Sequence, residues 1–354
     1  MIAMIDSENM PSLAYRLRDD LTFPLAYSGT EPFRDWQERT RAHVLDTLGI
    51  ASNASCNESV IEKWAGEGYC GSRLELSFAN GEKAQAYLLK PDAAGPHPAV
   101  LLLHDHGSHF SIGKEKMIRP PAGDPAVDDA RSLADRFYGG RHIGDVLVKL
   151  GYVVLSVDAL GWGSRQGNGY EGQQALAANL MQFGVSLASV VALEDIAAAR
   201  FLASLPQVDA ARIASFGFSL GGFRAWQAAA LSSDINACVS CSWMGTLQKL
   251  MRPGNNQLRG QSAYYMLHPP LAGKLDYPDI ACLAAPKPAL FLSGDADRHF
   301  PAEAAGEAFA KLASSWAAAG AGEQLQTKIW QGPHLFPIEQ QDAAIGWMQR
   351  IFGR

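Results

Sequence analysis

The sequence predicts an α/β fold, with a mostly parallel sheet of about eight strands, helices on both faces and a helical extension in front. Three observations lead to this prediction. Short apolar runs alternate with helix-favouring segments over residues 71–354 of the 354-residue chain. A Gly-x-Ser-x-Gly motif centred on Ser219 stands between one apolar run and an Ala-rich segment. Two later apolar runs end in polar loops that carry Asp297 and His334, as expected at the carboxyl edge of an open parallel sheet.

Residues 1–70 differ from the rest and are predicted to form a helical extension that packs on the main domain, residues 71–354. Apolar residues between Pro32 and Leu48 recur near helical spacing, and Gly49 is well placed to end that helix. We therefore expect an amphipathic helix at residues 32–48.

Turn signals and apolar runs predict the elements of the main domain. Asn80-Gly81 predicts a hairpin that joins strands Arg73–Phe78 and Ala84–Lys90. Further strands are predicted from the apolar runs at 98–103, 152–157, 212–215, 237–242, 288–292 and 326–330. Helices are predicted at 141–150, at 171–205 with a break near Gly184, and at 223–231, 302–319 and 338–351.

Two segments interrupt the alternation, at about 108–140 and 244–279. Loops of this length inside a compact domain usually serve or cover a site, although a surface insertion without a role is the alternative. The first segment carries five cationic residues, and aspartates are intermixed with them. We therefore expect these cations to be mainly solvated surface charges: Lys114, Lys116, Arg119, Arg131 and Arg136. Contact of these cations with an anionic substrate is the alternative.

Composition argues against some classes of partner. A formal net charge of −6, without a long run of like charges, argues against nucleic acid, since phosphate binders show a basic excess or stripe. The longest uncharged stretch, Gly172–Leu193, contains several glutamine and serine residues, so we expect a buried helix and no membrane span. Met1–Asp20 lacks the apolar segment of a secretory signal, and the five scattered cysteines are typical of reduced thiols, so a cytoplasmic location is expected.

Ser219 has the sequence context of a nucleophile. A strand, a sharp turn and a helix expose such a serine at the top of a sheet, where the helix N-terminus favours negative charge. A serine nucleophile needs a base and a group that orients the base. Asp297 and His334 follow two successive strands, in the order serine, acid, histidine. We predict Ser219 as nucleophile, His334 as general base and Asp297 as the group that holds the imidazole tautomer.

Both partners of the serine have rivals nearby. Asp295 lies two residues before Asp297, and one of the two is expected to be structural, because Asp in such turns often bonds to backbone. His299 is the rival base, but it is only two residues from Asp297, whereas His334 has a strand-end loop of its own.

Acyl transfer also needs backbone N–H groups for the developing oxyanion. The first is predicted at Leu220, directly after the nucleophile. The second is expected in the loop that follows the strand at 98–103, and we assign it to Ser108. Three aromatic or imidazole residues in loops near strand ends are predicted to bind substrate, with core filling as the alternative for the tryptophans: His106, Trp162 and Trp243.

The approach to Ser219 resembles a known group of proteins. The residues that carry the likeness are Asp195, Arg200, Leu205-Pro206, Val208-Asp209, Arg212-Ile213 and the motif itself, with Gly294-x-x-Asp297-x-x-x-Pro301 and Gly332-x-His334-x-Phe336. They are similar to α/β-hydrolases of the dienelactone hydrolase and acetyl-xylan-esterase-like group over about residues 71–354. The resemblance implies an α/β-hydrolase fold and a cofactor-independent serine esterase. Its substrate would be a small-molecule carboxylic ester, such as an acetyl ester or a lactone, cleaved through an acyl-enzyme. Dienelactone hydrolase itself has a cysteine where this chain has Ser219.

Other functions remain open on the sequence alone. His104, His106 and His109 have nearly the spacing of a zinc motif in metallo-β-lactamase-like hydrolases, which would make the protein a metal-dependent hydrolase. A peptidase or thioesterase on the same triad and a catalytically silent binding scaffold are further alternatives. The glycines at 161, 163 and 167 faintly resemble a dinucleotide loop, but no acidic residue follows at the required distance.

Overall fold

A computed structural model describes residues 10–49, 54–253, 255–256 and 261–353. In these residues the main sheet has nine strands: β1 (Cys56–Gly66), β2 (Tyr69–Phe78), β3 (Lys83–Pro91), β4 (His97–Leu103), β5 (Val153–Val157), β6 (Val208–Phe218), β7 (Ala237–Cys241), β10 (Ala289–Gly294) and β11 (Leu325–Trp330). Their order across the sheet is β1-β2-β3-β5-β4-β6-β7-β10-β11. The six strands from β5 to β11 in this order run parallel, and β3, β2 and β1 continue the sheet beside β5 in antiparallel pairs. A separate two-stranded pair is formed by β8 (Met251–Arg252) and β9 (Asn255–Asn256).

Helices cover both faces of this sheet. They are α1 (Ser12–Asp19), α2 (Phe33–Thr47), α3 (Val127–Phe137), α4 (Ile143–Lys149), α5 (Tyr170–Gln182), α6 (Leu187–Ser204), α7 (Leu220–Leu231), α8 (Leu247–Leu250), α9 (Tyr277–Cys282), α10 (Ala302–Ala318) and α11 (Ile338–Ile351). Along β4, Leu101 and Leu103 belong to the core under α6, α7 and α10, whereas Val100 and Leu102 belong to the core under α4 and α11. A strand buried on both faces must be apolar throughout, which explains the unbroken apolar run. The predicted α/β-hydrolase architecture is confirmed, with one strand more than expected.

The additional strand is β1, which the sequence had placed in the helical extension. β1 pairs with β2 in an antiparallel hairpin, so the expected boundary after residue 70 cuts through that hairpin. Most of β1 is exposed, and it carries Glu58, Glu62 and Lys63. Charged residues on an edge strand discourage pairing with other chains, but they also remove the apolar alternation by which a strand is recognised.

The helix predicted at 32–48 is α2, and it packs against the main body. Phe33, Trp36 and Val44 are buried in the core. Gln37 donates to the Leu283 carbonyl oxygen at 2.9 Å, and Arg41 donates to the Ala230 carbonyl oxygen at 2.9 Å. The extension is thereby fixed to the end of α7 that lies farthest from Ser219.

The break predicted near Gly184 separates α5 from α6. Ser186 begins α6 by accepting the Ser189 N–H at 3.0 Å, a normal N-cap. Among the described residues no single helix is long and apolar enough to cross a membrane; α5 and α6 satisfy that test only as a pair bent by 93°.

The two insertions contain more structure than the sequence indicated. The first holds α3 and a buried turn at Lys114–Lys116. The expectation of solvated cations is wrong for Lys114 and Lys116, which are 2% and 1% exposed. Arg119, Arg131 and Arg136 are exposed, and Arg136 also lines the cavity above Ser219. The second holds α8, the β8–β9 pair and the first half of α9. Both insertions contribute residues to the cavity above Ser219.

Candidate active site

Ser219 occupies a strained turn between β6 and α7. Its backbone has φ 55° and ψ −127°, a conformation that a residue with a side chain adopts only when its surroundings enforce it. The Ser219 N–H donates to the Cys241 carbonyl oxygen at 2.9 Å, which ties the turn to β7. A Cβ on Gly217 would overlap the Gly221 backbone, and a Cβ on Gly221 would overlap the Leu103 carbonyl oxygen. The two glycines of the motif are therefore required by close backbone approach.

His334 and Asp297 lie in line behind the serine. His334 Nε2 is 2.9 Å from Ser219 Oγ, and His334 Nδ1 is 2.7 Å from Asp297 Oδ2. A carboxylate can only accept hydrogen bonds, so His334 Nδ1 must carry the proton that it donates to Asp297. His334 Nε2 is then unprotonated and accepts a hydrogen bond from the serine hydroxyl. Asp297 follows β10 and His334 follows β11, which are neighbours in the sheet.

The two aspartates of the β10 loop have different partners. Asp297 Oδ1 accepts the N–H groups of His299 and Phe300 at 2.8 and 3.1 Å, which fixes the carboxylate while Oδ2 faces His334. Asp295 Oδ1 accepts the Gly332 N–H at 2.8 Å and thereby joins the β10 and β11 loops. Of the two rival acids only Asp297 contacts the imidazole. The rival base, His299, packs against the His334 ring in a T-shaped arrangement with centroids 4.8 Å apart, and it lines the cavity.

A cavity of about 300 Å³ opens above Ser219. His106 and Trp243, two of the three predicted substrate-binding residues, line it. Its further lining residues are Asp105, Gly107, Ser108, Arg136, Phe137, Tyr170, Phe218, Leu220, Met266, His299, Phe300 and His334. Tyr170 and Met266 were missed because each stands in a segment without a strand-end signal: Tyr170 begins α5, and Met266 ends a short turn of the second insertion.

Trp162, the third predicted substrate-binding residue, does not line this cavity. It is fully buried behind the loop that follows β4, and its indole Nε1 donates to the His106 carbonyl oxygen at 3.1 Å. The prediction was wrong because a loop tryptophan after β5 can turn inward and pack on the rings of His104, His106 and Tyr265.

His106 is held as a neutral imidazole. Its Nε2 lies 3.2 Å from Gln173 Oε1, and its Nδ1 accepts the Ser108 N–H at 3.2 Å. Burial lowers the pKa of His106 to about 3, and the nearby Lys116 ammonium adds to this effect. The Ser108 N–H is thus engaged by the ring of His106, so we do not retain Ser108 as the second oxyanion donor. Leu220 begins α7 and lines the cavity, as its predicted role requires.

The three histidines of the proposed metal motif are not arranged as ligands. His104 Nδ1 donates to the Asp105 carbonyl oxygen at 2.9 Å, and His104 Nε2 accepts the Ala159 N–H at 3.0 Å, so neither nitrogen has a lone pair to offer. Burial lowers the pKa of His104 well below its usual value. Among the described residues, no group of three or more His, Cys, Asp or Glu side chains could hold a metal ion.

The sheet order, the strand-turn-helix at Ser219 and the placement of Asp297 and His334 define the class of α/β-hydrolases. Comparisons with known proteins narrow this class. Residues 136–336 match the model of the dienelactone hydrolase family. A protein of Bacillus subtilis (strain 168), named "Putative hydrolase YtaP", is 30% identical over 251 residues, which cover 71% of this chain and 77% of that protein. The chain belongs to the dienelactone hydrolase family and is a hydrolase of carboxylic esters.

Solved structures share the fold at low sequence identity. A "putative acetyl xylan esterase" from Bacteroides fragilis has a TM-score of 0.69 and 18% identity, with 90% of this chain and 81% of that chain covered. A glucuronoyl esterase from Solibacter usitatus has a TM-score of 0.66 and 15% identity, with 93% of this chain and 97% of that chain covered. At these identities the likeness concerns the fold.

Proposed function

We propose that the protein is a serine esterase that uses Ser219, His334 and Asp297 as a catalytic triad. The observation that carries this proposal is the unbroken chain of two hydrogen bonds, 2.9 Å from Ser219 Oγ to His334 Nε2 and 2.7 Å from His334 Nδ1 to Asp297 Oδ2. The strained backbone of Ser219 adds support, because strain of this kind is kept where a side chain must be presented to a ligand.

The proposed reaction has two halves. Ser219 Oγ attacks the ester carbonyl carbon while His334 Nε2 takes its proton, and His334 then returns that proton to the leaving alcohol oxygen as the ester C–O bond breaks. Water, deprotonated by His334, next attacks the carbonyl carbon of the acyl-enzyme, and His334 returns that proton to Ser219 Oγ as the bond between Oγ and the acyl group breaks and the acid is released. Asp297 holds the imidazole and stabilises the imidazolium that forms in each half.

The oxyanion of each tetrahedral intermediate needs preorganised donors. Leu220 is the first residue of α7, so its N–H has no acceptor inside the helix and is free to bind the oxyanion. A second donor is expected from the loop between β4 and the first insertion, which faces Ser219 across the cavity.

The proposed substrate is a small-molecule ester with a compact acyl group, such as an acetyl ester or a lactone. A cavity of about 300 Å³ lies at the lower end of the range for ligand sites and leaves little room for a long acyl chain. Aromatic lining from Tyr170, Trp243 and Phe300 suits an apolar or ring-shaped alcohol portion. Structural relatives named as acetyl xylan and glucuronoyl esterases fit a substrate of this general kind.

We further propose that the reaction needs no cofactor and that the protein acts in the cytoplasm. The first follows from the triad chemistry, in which every proton transfer is carried out by side chains. The second is supported by the five cysteines, all of which are free thiols.

Ester preference tests the proposal. Purified protein is given p-nitrophenyl acetate, butyrate and octanoate, with Ser219→Ala as the matched control. We expect kcat/KM to fall steeply from acetate to octanoate and kcat to fall by about 10⁴-fold or more in the variant. Turnover near the wild-type rate in Ser219→Ala contradicts the proposed nucleophile, and a preference for octanoate contradicts the compact acyl site.

A further inference from the structure

Buried side chains donate hydrogen bonds to three consecutive backbone carbonyl oxygens of the loop after β4. The His104 carbonyl accepts from Arg224 at 3.3 Å. The Asp105 carbonyl accepts from Lys116 Nζ at 3.0 Å and from the His104 ring at 2.9 Å. The His106 carbonyl accepts from Lys116 Nζ at 2.8 Å and from Trp162 Nε1 at 3.1 Å. A single lysine therefore binds two successive peptide groups of a loop that lines the active-site cavity.

The direction of these carbonyls fixes the direction of the N–H groups. A trans peptide is planar, and its N–H points away from its C=O. The peptide that carries the Asp105 carbonyl also carries the His106 N–H, and the next peptide pairs the His106 carbonyl with the Gly107 N–H. With both carbonyls directed at Lys116, both N–H groups point away from it. Neither has a protein acceptor among the described residues, although His106 is only 8% exposed.

Lys116 occupies an environment that is costly for a cation. It is 1% exposed, and the cation–π contact of its Nζ, 5.5 Å from the Trp162 ring centroid, offsets only part of the lost hydration. Burial lowers the pKa of Lys116 to about 8, while Asp105, Asp158 and Glu115 oppose that effect and Arg224 reinforces it. A buried ammonium is retained only where it makes hydrogen bonds that a neutral side chain would not supply, and here those bonds go to the two carbonyls.

We propose that Lys116 is a positioning residue of the oxyanion hole, which turns the His106 and Gly107 N–H groups toward the carbonyl oxygen of the substrate. This inference rests on the proposed function of Ser219. The His106 and Gly107 N–H groups take the place of the Ser108 N–H as donors to the oxyanion. Trp162 is then the second side chain that holds the His106 peptide. Lys116 itself does not touch the substrate.

Lys116→Met tests the proposal, because methionine keeps much of the volume and removes both hydrogen bonds. The matched control is Lys287→Met. Lys287 Nζ also donates to two backbone carbonyl oxygens, those of Ala229 and Ser232, both at 2.7 Å, and burial lowers its pKa to about 8 as well. It lies at the other end of α7, about 15 Å from Ser219 at 1.5 Å per helical residue.

We expect Lys116→Met to lose catalytic rate with little change in substrate binding, and Lys287→Met to lose neither. Lys116→Met should lower kcat for p-nitrophenyl acetate by about 10- to 100-fold with KM nearly unchanged, somewhat less than the loss of a whole oxyanion donor. Its rate of phosphonylation by a fluorophosphonate should fall by a similar factor. Lys287→Met should keep the wild-type kcat and phosphonylation rate, even where its thermal midpoint falls as much as that of Lys116→Met.

A second variant and a second readout keep the proposal testable if Lys116→Met folds poorly. Trp162→Phe removes the other donor to the His106 carbonyl and should lower kcat about 3- to 10-fold, again with KM nearly unchanged. The amide resonances of His106 and Gly107, followed in protein labelled at those residue types, should move in both variants and not in Lys287→Met. Unmoved resonances, or equal kcat in Lys116→Met and Lys287→Met, overturn the proposal. A wild-type protein that is not phosphonylated at Ser219 overturns the proposed function itself, and the role of Lys116 with it.

Discussion

The Asp297 carboxylate binds His334 Nδ1 at 2.7 Å with one oxygen and two backbone N–H groups of its own loop with the other. Asp295, two residues earlier, instead accepts the Gly332 N–H at 2.8 Å. One short loop thus contains an aspartate that orients the imidazole and an aspartate that joins two loops. Because their partners differ, substitutions of the two aspartates should affect activity differently.

Asp297→Asn should cost far more activity than Asp295→Asn. An asparagine at 297 can donate to His334 Nδ1 and so favours the wrong imidazole tautomer, for which a loss of about 10³- to 10⁴-fold in kcat is expected. Asp295→Asn keeps an acceptor for the Gly332 N–H and should lose less than about tenfold. Steady-state kinetics of the two purified variants decide between them, and a larger loss in Asp295→Asn would show that the acid has been misassigned.

The triad residues should act as one unit. Ser219→Ala and His334→Ala are each expected to lower kcat by about 10⁴-fold or more, and the variant that combines both with Asp297→Ala should be hardly worse. Once the proton transfer between serine and histidine is lost, the remaining member has nothing to assist. Losses that multiply across the three sites would indicate independent roles and contradict the proposed mechanism.

Gly221 should not tolerate a side chain. A Cβ there would overlap the Leu103 carbonyl oxygen, a backbone atom that cannot move without displacing β4. Gly221→Ala is therefore expected to lower the free energy of unfolding by more than about 2 kcal/mol and to abolish activity. The control is Gly306→Ala in the interior of α10, where no atom lies within 4 Å of the added Cβ.

Gly306→Ala should stabilise the protein by about 0.5–1 kcal/mol, because alanine has the higher helix propensity. Denaturant melts of both variants provide the measurement. A Gly221→Ala protein with wild-type stability and activity would contradict the close approach of Gly221 to β4.

His268 should make the protein sensitive to acid. Burial lowers its pKa to about 3, while Gln227 and Ser186 hold its ring nitrogens. Between pH 6.5 and about 3 the unfolded chain binds a proton at this residue that the folded chain does not. Stability is therefore complete above about pH 6.5 and is lost as the pH falls toward 3, by about 1.4 kcal/mol per pH unit for this one group.

Comparison with a His268→Gln variant isolates this contribution from other titrating groups. The variant should show a shallower fall in the free energy of unfolding over this pH range, measured by urea melts at pH 7, 6, 5 and 4. Parallel pH profiles for the two proteins would contradict the account.

The sequence located the parallel core and the residues around Ser219 because each leaves a local signal. Apolar runs mark the strands buried on both faces, and the Gly-x-Ser-x-Gly motif records a turn that only glycine can flank. Asp297 and His334 could be placed because the residue after a parallel strand must lie at the carboxyl edge of the sheet.

Features decided by tertiary contacts could not be placed in this way. β1 is an exposed edge strand whose charged residues show no alternation, and α3 lies in a segment rich in turn residues. Lys116 looks like any surface cation in the sequence; its burial depends on the carbonyls that the loop after β4 turns toward it. Trp162 has the position of a pocket residue, and only packing decides that it faces the core.

The nucleophilic role of Ser219 is tested most directly by mass spectrometry after exposure to a fluorophosphonate, on the wild type and on Ser219→Ala, with and without a chelator. We expect one adduct, on the peptide that contains Ser219, formed at the same rate in both conditions and absent from the variant. An adduct on another residue, or no adduct together with ester hydrolysis that the chelator abolishes, would contradict a nucleophilic Ser219 activated by His334.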